Sequence, residues 1–177
     1  MFEVKTDFVQ FLSAVMEEAY QNLGNRQKGL KDEEFFWEPI PDCWTVRQDE
    51  QGRWMVDYEQ PDPEPAPFTT IGWRLVHVAT CKIMYHEYAF GDQTLTWDNI
   101  VIPHTADEAI SLLEEGHKRL KDVLVKLTDT DLEKMVYTNW GEQWPIQKIF
   151  WVMISHDLHH GGEIGCMRDM YSMTNKP

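Results

Sequence analysis

Four stretches of this chain repeat apolar residues at spacings of three and four, and that periodicity restricts the fold more than any other feature. Along residues 6–23 the apolar positions are Phe8, Phe11, Leu12, Val15, Ala19 and Leu23. Residues 70–90 carry a seam of Thr70, Trp73, His77, Cys81, Met84 and Tyr88. Residues 105–127 carry Leu112, Leu113, Leu120, Val123, Leu124 and Leu127. The last stretch starts at Pro145, a residue suited to a first helical turn, and runs to residue 173. Spacing of this kind places one apolar stripe on each helix. Start and stop signals agree: Asp7 before the first helix, "TADE" as a capping box before the third, Gly24 and Gly91 as stops. Four amphipathic helices bury their stripes against one another most simply as an all-α four-helix bundle.

The connections are short on regular structure. "DEEFFWEP" reads as a brief helical turn ended by Pro39 and Pro41. Residues 44–68 contain two β-like runs around a polar, Gly-containing turn, followed by "PDPEPAPF", an extended connector. We read this as a small hairpin-like insertion between the first and second long helices. "TDTDLEKM" reads as a turn before the last helix. With 177 residues, the expectation is a single domain over residues 1–177.

Composition narrows the class of function. Apolar residues make up 42% of the chain and there are eight Trp, enough for a full core. The net charge of −14 repels phosphate backbones, so nucleic acid is not an expected partner. No apolar run reaches the roughly 18 residues that span a bilayer, and the N-terminal residues lack a signal-peptide pattern. Three widely spaced cysteines, Cys43, Cys81 and Cys166, form neither a disulfide framework nor a CxxC knuckle. A reduced, cytoplasmic protein with no membrane partner follows.

Against this background the segment "SHDLHHGGEIG", residues 155–165, stands out. A helix turns about 100° per residue, so His160 lies about 40° round from His156 and Glu163 about 20° the other way. Ile149, Met153, Ile164 and Met167 share that side, so the two histidines sit inside an apolar stripe. His159 falls about 60° away, on the flank. On the second long helix His77 occupies the centre of its seam, while His86 falls nearly opposite and is expected at the surface. His117 sits about 70° from the middle of its leucine stripe, a boundary position, and His104 falls in a loop. Buried imidazoles without partners are costly. An i,i+4 pair converges on one ion, and a third imidazole arrives from a facing helix. His77, His156 and His160 meet that requirement. Glu163 is then a fourth ligand, an orienting group or a general base. Secondary candidates are Arg168 for an anionic substrate, with a surface salt bridge as its simpler role, and Cys81 as a soft ligand, with a buried thiol as the simpler role. Trp73, Tyr85, Tyr88 and Trp151 are candidates for a pocket lining or for plain core. Gly161, Gly162 and Gly165 each cost roughly 1 kcal/mol inside a helix, so close helix approach or room for a ligand is expected there.

"TTIGWRLVHVATC" and "WVMISHDLHHGGEIGCMRDMY", with "FFWEPIPDCWTV" and "TADEAISLLEEGHKRL" between them, resemble the DinB/YfiT-like superfamily of four-helix bundles. The resemblance implies a divalent ion, often zinc or nickel, held by His77, His156 and His160. It implies two long crossovers and frequent homodimers. It also implies, for some members, thiol-dependent transferase or isomerase activity with bacillithiol, mycothiol or glutathione. The last motif departs from the family's usual H-H-R-G-Q: here His159-His160-Gly161-Gly162-Glu163 has a carboxylate for the amide and no arginine. The expectation is a metal-dependent enzyme acting on a small molecule, possessing Glu163 as a proton-handling group and using a low-molecular-weight thiol. The alternative is a non-enzymatic bundle whose metal or ligand serves sensing, storage or stability.

Overall fold

The computed structural model describes residues 7–61 and 63–175. Four long helices build the bundle: α1 (Phe8–Gln27), α3 (Ile71–Phe90), α4 (Ala106–Leu124) and α5 (Ile146–Thr174). The one-turn α2 (Asp32–Phe35) follows α1. Side chains at the starts satisfy free backbone N–H groups, as helix ends require. Asp7 accepts from Gln10, Thr70 from Trp73, and Thr105 from Glu108.

Packing partners give the direction of each helix. Leu23 and Arg26 of α1 lie against positions 161 and 165 of α5, so those two helices run parallel. Arg74 faces Met167 and Lys82 faces Asp157, so α3 and α5 run antiparallel. The start of α4 lies by α2, where Asp32 accepts from the Ala106 N–H. α2 in turn packs on the start of α3, with Phe35 against Gly72, so α3 and α4 are parallel. Around the ring, α1 contacts α5, α5 contacts α3, α3 contacts α4, and α4 closes more thinly on α1. Directions therefore run up, down, down, up. Only α3 and α4 are consecutive and parallel, so residues 91–105 must cross back along the bundle, whereas residues 28–70 and 125–145 join antiparallel helices.

The expected insertion is a two-stranded antiparallel hairpin, β1 (Val46–Gln48) and β2 (Trp54–Val56), with Val46 opposite Val56. It is tied to the start of α3. Trp73 Nε1 donates to the Asp57 carbonyl, and the Thr70 hydroxyl meets that of Thr45. A second hairpin, β3 (Met135–Tyr137) and β4 (Gln143–Pro145), follows the expected turn at residues 128–135 and runs directly into α5, in a segment for which the sequence had suggested no element; Gly141, at φ 77°, makes its bend.

The apolar stripe of α1 is rotated from its expected position. Val9, Leu12, Met16, Ala19 and Leu23 are buried, whereas Phe8 and Phe11 are exposed and stack on each other with centroids 6.2 Å apart. Spacing alone admitted both faces. Neighbouring helices chose the one with smaller side chains.

The core divides into two apolar clusters. One gathers Met16, Cys81, Tyr85, Leu120, Phe150 and Met153; the other gathers Leu23, Phe35, Leu75, Ala79, Leu113 and Ile164. On α4 and α5 the residues lying between these clusters include His117, His156, Asp157 and His160, and on α3 His77 and Lys82 flank the changeover between Ala79 and Cys81. The bundle thus has a polar layer at mid-height.

Candidate metal centre

The polar layer brings the three candidate ligands together. One ligand nitrogen from each of His77, His156 and His160 lies within 4.8 Å of the others. The His156 and His160 rings are nearly parallel, 5.7 Å apart, as i,i+4 side chains on one face of α5 should be. The His77 ring comes from α3 and stands almost perpendicular to both, at centroid distances of 5.3 and 5.2 Å. His160 is buried, while His77 and His156 are half-buried, so the cluster sits at the α3–α5 seam with one side toward solvent.

All three rings are held neutral. Burial, reinforced by the other two imidazoles, takes the His77 pKa down to about 3. Burial, with His160 and Lys82 nearby, takes His156 down to about 4. Burial also lowers His160, against the opposing pull of Glu163. A metal ligand must be deprotonated, so depressed imidazoles are ready ligands.

Each ring has a distinct surround. Trp73 stacks on His77 at 4.9 Å and 10° between planes, which covers one face. Cys81 Sγ lies 3.9 and 3.8 Å from the two His77 nitrogens. Equal distances place the sulfur over the ring rather than along an N–H direction. Burial raises this thiol to about 12, so it is a packed thiol and a poor ligand. Nδ1 of His160 lies 2.7 Å from Oε2 of Glu163. The carboxylate fixes the proton on Nδ1 and leaves Nε2 as a free donor, the arrangement found where a second residue orients a ligating histidine. Nδ1 of His156 is buried without a hydrogen-bond partner. That ring therefore carries an uncommitted nitrogen, which is costly unless something occupies the site. Three neutral imidazoles, one pre-oriented and one with an orphaned nitrogen, fit a divalent ion.

His159, His160 and Glu163 also offer donors within 4.8 Å of one another. This second group is weaker on chemistry. His159 is two-thirds exposed, with its side chain at 66%, and Glu163 is already engaged by His160 and by Arg74 Nε at 3.4 Å.

The chain matches the DinB superfamily over residues 16–164, most of its length. The chain belongs to the DinB superfamily. Metal association is common among its members. A conserved protein from Enterococcus faecalis, known from its crystal structure, has the same fold. Its TM-score is 0.59 at 13% identity, with 92% of this chain and 96% of that one covered. Comparison with curated proteins returns no match. No helix among the described residues is long and apolar enough to cross a membrane.

Other candidates fall elsewhere. Arg168 points away from the histidines. It clamps Glu34 and donates to the carbonyls of Arg26 and Lys28, closing the end of α1. It borders a cleft of about 660 Å³ between α1, α2 and α5. Trp151 is 61% exposed on the outside of α5, so it lines no pocket with the triad. Tyr85 is buried and its hydroxyl accepts from Trp140. His86 is half-buried rather than at the surface, with an unpartnered Nδ1. The β3–β4 segment packs beside α3 on its outer side, where a solvent face had been expected. His117 is interior rather than at the boundary: it stacks on Tyr20 at 3.8 Å, and its Nε2 is 3.4 Å from Glu17. Gly161 and Gly165 serve close approach to α1, whereas Gly162 faces open space. The fully buried Lys82–Asp157 pair had no signal in the sequence beyond a charged residue on each apolar helix.

Proposed function

We propose that this DinB-superfamily protein is a divalent-metal-dependent enzyme acting on a small molecule, with a low-molecular-weight thiol as nucleophile in an S-transfer or isomerisation. The single observation that carries this reading is the convergence of three neutral imidazoles from two helices on one partly open point. Three protein ligands leave coordination positions free, as catalytic sites require and closed structural sites do not. Zinc and nickel both suit an imidazole donor set.

His77, His156 and His160 would hold the ion. When bound, it supplies Lewis acidity that makes a thiol or water nucleophilic at neutral pH. The remaining work falls to the protein. Glu163 keeps the proton on Nδ1 of His160, and Arg74 beside it balances the carboxylate. The Glu163 side chain is 32% exposed, so it reaches both the site and solvent and is the proposed proton carrier. Trp73 excludes water from one face of His77. Homodimer formation and a cytoplasmic setting belong to the same proposal. Their support is the exposed Trp151 and Leu158 on the outside of α5 and the three free cysteines.

The test is reconstitution with zinc or nickel, followed by a screen of small thiols against electrophiles. Turnover present in the wild type and absent in His77→Ala supports the reading. Equal rates in both remove it.

A further inference from the structure

Lys82 and Asp157 meet inside the bundle with Nζ 2.8 Å from Oδ2, and each side chain has 0% exposure. Their surroundings accommodate them only in part. Lys82 passes close to α4 where residue 116 is glycine; a Cβ there would stand 2.8 Å from the Lys82 Cβ. Oδ1 of Asp157 has no hydrogen-bond partner among the described residues.

Stability does not explain this pair. Taking both charges out of water costs several kcal/mol per ion, and an apolar pair of similar volume is often as stable or more so. Position does explain it. Asp157 directly follows His156, and Lys82 lies five residues beyond His77 on the same helix. The two helices that carry the ion pair are the two that carry the triad. Apart from the partly exposed Arg74–Glu163 contact at 3.4 Å, α3 and α5 meet above and below mainly through apolar residues such as Cys81, Tyr85 and Met153 on one side and Leu75, Ala79 and Ile164 on the other. Apolar contact is non-directional and admits alternative registers. A slip of one turn moves His77 by about 5.4 Å along its axis, out of reach of both partners. An ion pair in a dry interior admits only one register, since any slip leaves two unpaired charges.

We propose that Lys82 and Asp157 are positioning residues that pin α3 against α5 in the one register where His77 meets His156 and His160. Neither touches the ion. The proposal rests on the metal-centre reading.

The experiment measures Co²⁺ and Ni²⁺ binding by calorimetry, with the Co²⁺ absorption spectrum and thermal unfolding of the metal-free protein, for the wild type and the double variant Lys82→Met/Asp157→Leu. The expected result is a folded double variant with unfolding temperature at or above the wild type. Its ion affinity should fall about tenfold or more, with an altered Co²⁺ spectrum. Asp157→Asn, which keeps the shape and removes one charge, should give an intermediate affinity, and it carries the test if the double variant does not fold. A variant that binds both ions like the wild type, with the same spectrum, overturns the pin alone. A wild type that binds neither ion overturns the metal centre and the pin together.

Discussion

Oε2 of Glu163 accepts a 2.7 Å hydrogen bond from Nδ1 of His160, one turn back on the same face of α5. The contact is local to one helix, yet it bears on a site shared with α3, because it occupies Nδ1 of His160 and leaves Nε2 as that ring's uncommitted nitrogen.

Glu163 should therefore act on metal affinity before it acts on anything else. Glu163→Ala is expected to weaken zinc or nickel binding by about ten- to a hundredfold, as loss of an orienting partner does elsewhere. Glu163→Gln, which retains an acceptor, should lose less. Competition titration against a chromophoric chelator reads both. An affinity unchanged in Glu163→Ala would show that the contact does not orient a ligand.

The two donor groups make opposite demands on His77 and His159. With the ion between His77, His156 and His160, His77→Ala should abolish stoichiometric binding and His159→Ala should leave it intact. With the ion at His159, His160 and Glu163, the pattern reverses. Equilibrium dialysis with metal analysis of the two variants decides between them.

Acid should destabilise the metal-free protein in a defined window. The folded-state pKa values of His77 and His156 are depressed to about 3 and about 4, from an ordinary value near 6.5. The unfolded chain takes up protons below about pH 6.5 that the folded chain refuses until about pH 4 at His156 and about pH 3 at His77, so their contribution is intact above 6.5 and is lost as pH falls toward those values. His77→Phe removes one such group and should flatten the fall. Thermal unfolding of both proteins from pH 7.5 to 4.5 measures it, and parallel curves would contradict the assignment.

Two glycines should respond oppositely to the same change. A Cβ at Gly72 would meet the Phe35 ring at 2.6 Å, so Gly72→Ala should cost about 1–3 kcal/mol through overpacking. A Cβ at Gly162 meets nothing within 4 Å, so Gly162→Ala should stabilise by up to about 1 kcal/mol. Urea unfolding of the metal-free variants separates them. Destabilisation by Gly162→Ala would show that this outward position is used by something outside the described fold.

Helix starts were readable because capping acts within a few residues, but two ends were not: α1 runs through the expected Gly24 stop to Gln27, and α4 ends at Leu124 rather than at 127. The structure places α3 at Ile71–Phe90 and α5 at Ile146–Thr174, each within about a residue of the expected bounds. The histidine faces followed from the same local geometry: 100° per residue suffices to put His156 and His160 on one side. The alternatives for Glu163 could not be separated that way, since ligand, orienting group and base share one position on the helix. The β3–β4 hairpin was missed although its strands are no shorter than those of β1–β2 and Gly141 marks its bend.

What local order could not contain is the relation between helices. Periodicity assigned each segment its stripe, and with it the class of bundle and the histidines able to face inward. The rotation of α1 that exposes Phe8 and Phe11, the burial of His117, and the packing of β3–β4 beside α3 near His86 all depend on which neighbour a helix meets. So does the meeting of Lys82 with Asp157, 75 residues apart in the chain. These contacts are fixed by the competition among all the apolar surfaces and buried charges at once, a condition that no single segment of sequence can express.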